Sequence, residues 1–223
     1  MHGRNLDFEM WELLSKLLVT IDYYRDGKLV YTADTIAASV FTLTGTRHGA
    51  FSINVDTRHA KSLEEDLISI IKNNNIPTCW LLHKVFEEES TYAGATQRLK
   101  NTHIAAPVYF IVAGLGQGMV IERDPEGPHA VYELNETTWF LVQTNYDRDA
   151  HEPVYDQRRI PMENRIKAHG NNFTVDTVLK QMFTWPNFNI ATIMTAVMVP
   201  AKSYHNVTAW YGVNPAPKLL TTQ

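Results

Sequence analysis

The run Val108-Tyr109-Phe110-Ile111-Val112 narrows the possible folds more than any other stretch of this chain. It is β-branched and aromatic with no polar face, so a strand made from it has to be covered on both sides. Further strands are predicted at 17–24 and 29–32, at 41–44 and 51–55, and at 119–123, 130–134, 139–143, 190–199 and 207–211. The first two meet at Arg25-Asp26-Gly27-Lys28. Asp-Gly there marks a tight hairpin, because glycine accepts the positive φ of a primed turn. Helices are predicted where apolar residues recur at helical spacing. One follows the capping box Ser62-Leu63-Glu64-Glu65, and one has Pro77 in its first turn and Trp80, Leu81, Val85 and Phe86 as its stripe. Others fall at 92–100, 158–168 and 174–183. Strand blocks with intervening helix blocks predict an α+β layering, a sheet held between a second sheet and a helical layer. With 223 residues, 44% of them apolar, one sizeable core is expected. That domain would occupy 1–211, with 212–223 as a loose tail.

Charge excludes one class of partner. The net charge is -4 and no basic run occurs, so no nucleic-acid contact is expected. Nine histidines show no ligand-like spacing, and neither a metal nor another cofactor is expected. Cys79 is the single cysteine; beside Trp80 in an apolar helix, it reads as a buried structural thiol. Asn135-Glu136-Thr137, Asn172-Phe173-Thr174 and Asn206-Val207-Thr208 are glycosylation sequons. Used sequons require the secretory pathway, yet no apolar leader follows Met1. Together these features predict a chain whose natural beginning lies upstream of Met1.

Several short motifs resist a purely structural reading when taken together. On its own, the segment from His2 to Phe8 reads as an exposed, salt-bridging strand, Asn145 as a turn residue, and Arg158 as a solvated helix charge. The order His2-Gly3-Arg4-Asn5-Leu6-Asp7-Phe8, Leu43-Thr44-Gly45, Phe51-Ser52-Ile53 leading to Arg58, Ala106-Pro107-Val108, Val131-Tyr132-Glu133-Leu134, Thr144-Asn145-Tyr146-Asp147 and Arg158-Arg159 changes that. It resembles the large subunit of acid ceramidase-type amidases, a group that includes the acid amidases acting on fatty-acid ethanolamides. The resemblance runs from His2 to about Val199.

The resemblance implies a four-layer αββα sandwich of the N-terminal-nucleophile hydrolase type, in a lysosomal or secreted protein. It implies a precursor cut before a cysteine, whose thiol is the nucleophile and whose α-amine is the base. A small subunit from the same precursor and a small lipid substrate are the implied partners, with transient contact to a membrane surface. Carried over residue by residue, Arg4 would stand beside the thiol and Asp7 would hydrogen-bond the α-amine. Asn145 would donate to the oxyanion, and Arg158 would position and polarise from the far side. Ceramide is the first substrate expected and fatty-acid ethanolamides the second; a lipid-binding relative without catalysis is the third reading. The nucleophile would lie outside this sequence. Thr57 stands where vertebrate members usually have a glutamate, so no carboxylate is expected at that position.

Overall fold

The computed structural model describes residues 1–37, 39, 42–58 and 62–210. Two antiparallel sheets face each other, and the fold is an α+β sandwich. The smaller sheet has the order β1-β9-β10, built from His2–Asp7, Thr192–Val199 and Tyr204–Ala209. The larger runs β2 to β8 in sequence order: Leu18–Arg25, Lys28–Ile36, Thr44–Arg47, Phe51–Thr57, Val108–Ala113, Gly118–Arg123 and Pro128–Glu133. A short helix α1 (Trp11–Leu14) follows β1. Helices α2 (Leu63–Asn73), α3 (Thr78–Glu88) and α4 (Tyr92–Asn101) lie between β5 and β6; α5 (Arg159–His169) and α6 (Val175–Met182) precede β9.

Period-two alternation decides which sheet face meets which layer. In β5, Phe51, Ile53 and Val55 turn toward α3 and α4 and join Tyr31, Phe110, Val112 and Ile121 in the main apolar core. Leu81, Leu82, Val85 and Phe86 complete that core from α3. The chain crosses Gly45 close to Phe86: a Cβ there would sit 3.0 Å from the ring, so only glycine lets strand and helix approach. The alternate residues Ser52 and Asn54 of β5 turn the other way, toward β1. β1 is sandwiched in turn. His2 and Arg4 point into the larger sheet, whereas a Cβ on Gly3 would meet Val178 of α6 at 2.9 Å. The layers are thus α3/α4, seven strands, three strands, and α6 with α5 beside it.

The hairpin is as predicted, with Asp26 and Gly27 at φ 51 and 74°. The capping box also forms, Ser62 and Glu65 serving each other's backbone amides. Three expectations need correction. Residues 139–143 form no strand, because β8 already occupies the edge beside β7 and the segment finds no ladder partner there. The strand expected at 41–44 pairs instead at Thr44–Arg47, where Thr44 and Thr46 face the buried polar interior and Gly45 clears Phe86; Phe41 is outside the described residues. Pro77 caps α3 from outside rather than opening its first turn. The proposed tail 212–223, and Tyr211, lie outside the described residues. No helix among the described residues is long and apolar enough to cross a membrane.

Candidate active site

β1 carries two of the four expected site residues, and a bulge separates their roles. Leu6 pairs with Met194 but Asp7 pairs with Thr192, an irregularity that re-aims the last side chain of the strand. Asp7 is held tightly. Asn189 Nδ2 and Thr192 Oγ1 each donate to its carboxylate at 2.7 Å, and Arg158 Nη1 donates at 3.2 Å.

Arg158 links Asp7 to Asn145. Its Nη2 donates to Asn145 Oδ1 at 2.9 Å, and its Nε lies 2.7 Å from Asp156. A guanidinium only donates, so the contact fixes the Asn145 amide with its oxygen toward Arg158. The Asn145 Nδ2 group donates to the carbonyl of Thr57 at 3.1 Å. That uses one of two amide hydrogens, and the second is available to an oxyanion.

Anchors outside the cluster hold both residues in place. Asp147, two residues after Asn145, takes Arg58 Nε and Nη2 at 2.6 and 2.9 Å and the Tyr109 hydroxyl at 2.8 Å. Bidentate pairing of this kind fixes orientation as well as position. Those bonds keep Arg58 charged. Ahead of α5, Glu152 accepts the backbone amides of Arg158 and Arg159 at 2.9 and 2.8 Å, and the Thr144 hydroxyl donates to its other oxygen. One carboxylate therefore ties the start of α5 to the Asn145 segment. The Asp147 carboxylate also comes within 4.8 Å of ligand atoms of Glu122 and His129, but Arg58 already supplies the positive charge at that cluster.

Arg4 stands apart from the other three. It is buried, and its guanidinium donates to the carbonyls of Leu43 and Val55, to the Thr44 hydroxyl, and to Asp56 at 3.4 Å. An exposed salt-bridging strand is therefore the wrong reading of the segment from His2 to Phe8. Asp56 is a site residue that motif reading passed over. Burial pushes its carboxyl up, against the pull of Arg4 and Arg158. Its signal was present in the polar alternation Ser52, Asn54, Asp56. His2 is neutral in the fold, between Ser52 and Asn54, with burial pushing it down to about 3.

Arg4, Asp7, Asn145 and Arg158 all line one cavity of about 850 Å³. Most of its remaining wall is apolar: Ile111, Met119, Leu134, Phe140, Phe173 and Met182 are examples. The unpaired segment 139–143 forms part of this wall, which is where its apolar side chains are used. Cys79 also lines it. The expectation of a fully buried thiol is corrected to a half-buried one, since the start of α3 opens onto the cavity rather than into the core. Burial pushes that thiol up, away from the thiolate form a nucleophile needs. The sequon residues Asn135, Asn172 and Asn206 are all exposed.

No family model matches the chain. Individual relatives do. The N-acylethanolamine-hydrolyzing acid amidase of Caenorhabditis elegans is 32% identical over 219 residues, covering 94% of this chain and 61% of that protein. The Rattus norvegicus counterpart is 33% identical over 206 residues, 90% of this chain and 57% of the relative. Acid ceramidase of Homo sapiens is 33% identical over 220 residues, 88% of this chain and 55% of the relative. The chain thus spans about three-fifths of the length of these curated relatives. A solved structure of the Caenorhabditis elegans N-acylethanolamine-hydrolyzing acid amidase ortholog superposes with a TM-score of 0.80 at 33% identity. That match covers 90% of this chain and 87% of the other, so likeness in sequence and in fold coincide over nearly the same residues. With an αββα layering, a hydrogen-bonded Asp7–Arg158–Asn145 cluster and these relatives, the chain belongs to the family of N-acylethanolamine-hydrolyzing acid amidases and acid ceramidases.

Proposed function

We propose that the protein to which this chain contributes hydrolyses the amide bond of a long-chain fatty-acid amide, through a thioester acyl-enzyme. The observation that carries the reading is the Asp7–Arg158–Asn145 cluster at a large, mainly apolar cavity. Cys79, the one cysteine of the sequence, is poorly suited to attack, so the nucleophile is assigned to a cysteine outside these residues. Its thiolate adds to the amide carbonyl, and the oxyanion takes the free Asn145 N–H. Asp7 orients the α-amine that removes the thiol proton and returns it to the leaving amine. Arg158 keeps the Asn145 amide in register, and Arg4 adds positive charge beside the thiol. Water then hydrolyses the thioester.

Ceramide is the first substrate we assign, on the motifs around Ala106, Val131 and Gln143. Fatty-acid ethanolamides are the second, favoured by the likeness to the nematode acid amidase in both sequence and fold. We assign the protein to the lysosome or the secreted space, with glycans at the exposed Asn135, Asn172 and Asn206 and a small subunit as partner. The test is to express the full reading frame in eukaryotic cells. Fatty-acid release from ceramide and from an N-acylethanolamine is then measured by mass spectrometry, with Asp7→Asn alongside. Release from at least one substrate, lost in Asp7→Asn, is expected. Release from neither would overturn the amidase reading.

A further inference from the structure

Arg158 stands between two carboxylates, and it lies closer to the one outside the cavity. Its Nη1 donates to Asp7 at 3.2 Å, whereas its Nε lies 2.7 Å from Asp156 Oδ1. Its Nη2 donates to Asp156 Oδ2 at 3.2 Å and to Asn145 Oδ1 at 2.9 Å. Both hydrogens of that nitrogen are then in use, one on each side chain. A guanidinium is planar and rigid, so the carboxylate that fixes its Nε edge also fixes the direction in which Nη2 points.

Asp156 ends a single 3₁₀ turn, Val154–Asp156. Val154 and Tyr155 are each 89% exposed and so do not anchor that turn. The Asp156 side chain is anchored by Tyr146, whose hydroxyl donates to Oδ2 at 3.0 Å. Tyr146 directly follows Asn145, so the contacts close a ring. It runs from Asn145 to Arg158, on to Asp156, then to Tyr146, and returns to Asn145 through the peptide bond. The backbone of the ring is pinned as well: Gln143 Nε2 donates to the carbonyls of Thr144 and Tyr146, on either side of Asn145, at 2.9 Å each. Burial, aided by the bond to Asp156, pushes the Tyr146 hydroxyl up to about 12, so it stays protonated and donates through the acid and neutral range. Neither Tyr146 nor Asp156 lines the cavity.

We propose that Tyr146 and Asp156 are positioning residues, which hold Arg158 so that Asn145 keeps its amide aimed at the oxyanion. The inference rests on the amidase reading and deepens it. Without the Asp156 charge, the cation is left with Asp7 as its carboxylate partner and is drawn toward it. Asn145 Oδ1 then loses its donor, and the exposed amide is free to turn. The oxyanion donor is still present but no longer preorganised. Without the Tyr146 hydroxyl, Asp156 keeps its charge and loses only the contact that places it, so the effect is smaller.

The test measures kcat and KM for ceramide and for an N-acylethanolamine, using the mature full-length protein. The variants are Asp156→Asn, Tyr146→Phe, Arg158→Met, and the two doubles that combine each of the first two with Arg158→Met. Asp156→Asn is expected to lower kcat about tenfold or more, toward the roughly hundredfold that a misplacement of about 1 Å costs, and Tyr146→Phe about threefold. KM should stay within about twofold, because neither side chain meets the substrate. Both side chains are partly exposed, so melting temperatures should be nearly unchanged. With Arg158→Met already in place, each substitution should lower kcat by less than about twofold further, since nothing is left to position. Losses that multiply in the double variants would show an effect independent of Arg158, whether local or a general loss of fold, and would overturn the proposal. Full kcat in both single variants, or a loss carried by KM, would overturn it while leaving the amidase reading in place. Cleavage of neither amide by the unsubstituted protein would overturn the amidase reading itself.

Discussion

The two faces of the seven-stranded sheet are both buried, yet they are built on opposite principles. Toward α3 and α4, Tyr31, Phe51, Ile53, Phe86 and Phe110 make an apolar core. Toward β1, the same strands offer Asp34, Thr44, Thr46, Ser52 and Asn54, every one of them buried. There the contacts are hydrogen bonds and charges: Arg4 to Asp56, His2 to Asn54, and His205 to Asp34 at 2.9 Å. Burying polar groups is costly unless each finds a partner. Stability therefore resides mainly on the helical side, and chemistry on the side where partners had to be arranged one by one. The site cluster lies at the edge of the polar layer, where β1 ends and the cavity begins.

The sharpest way to break the comparison is on the apolar side. Phe86→Ala removes a fully buried ring stacked on Tyr31 and Phe51, and about 3–5 kcal/mol of stability should go with it. Chemical denaturation of the purified variant measures this; a loss below about 1 kcal/mol would mean the helical layer is not the main anchor. On the polar side, Arg4→Met leaves Asp56 without its principal counter-charge and strands the carbonyls of Leu43 and Val55. A loss of about 3 kcal/mol is expected from breaking such a pair, together with lower turnover. Equal stability with full turnover would show that the ion pair is dispensable on both counts.

The smallest effect concerns pH. His2 is neutral in the fold at about 3, whereas the unfolded chain takes up a proton near 6.5. Between those values the unfolded state binds more protons, so this contribution is intact above pH 6.5 and is lost as pH falls toward 3. At a lysosome-like pH of about 5 the loss is on the order of 2 kcal/mol. His2→Gln keeps hydrogen-bonding capacity toward Ser52 and Asn54 without the titration, and its unfolding free energy should fall less steeply over that window. An identical slope would remove His2 as the source.

Local chemistry in the sequence reported much of this layout. The Asp26-Gly27 turn, the Ser62–Glu65 box and the Val108–Ala113 strand could be read because each depends on its own residues. Residues 139–143 could not, because an apolar run looks the same whether it lines a cavity or joins a sheet. Asp7, Asn145 and Arg158 were found through motif order, and the structure joins them although 151 positions separate Asp7 from Arg158. Asp56 and Glu152 escaped because their importance comes from partners that only the folded register brings near: Arg4 for one, and the amides opening α5 for the other.

Asn145→Ala in the mature full-length protein tests the central claim most directly, because Asn145 is exposed and contributes little to either buried face. If its amide serves the oxyanion, kcat should fall by about 10²–10³ with the melting temperature nearly unchanged. Undiminished turnover in a folded variant would contradict the account, and so would a fall in turnover that merely tracked a loss of fold.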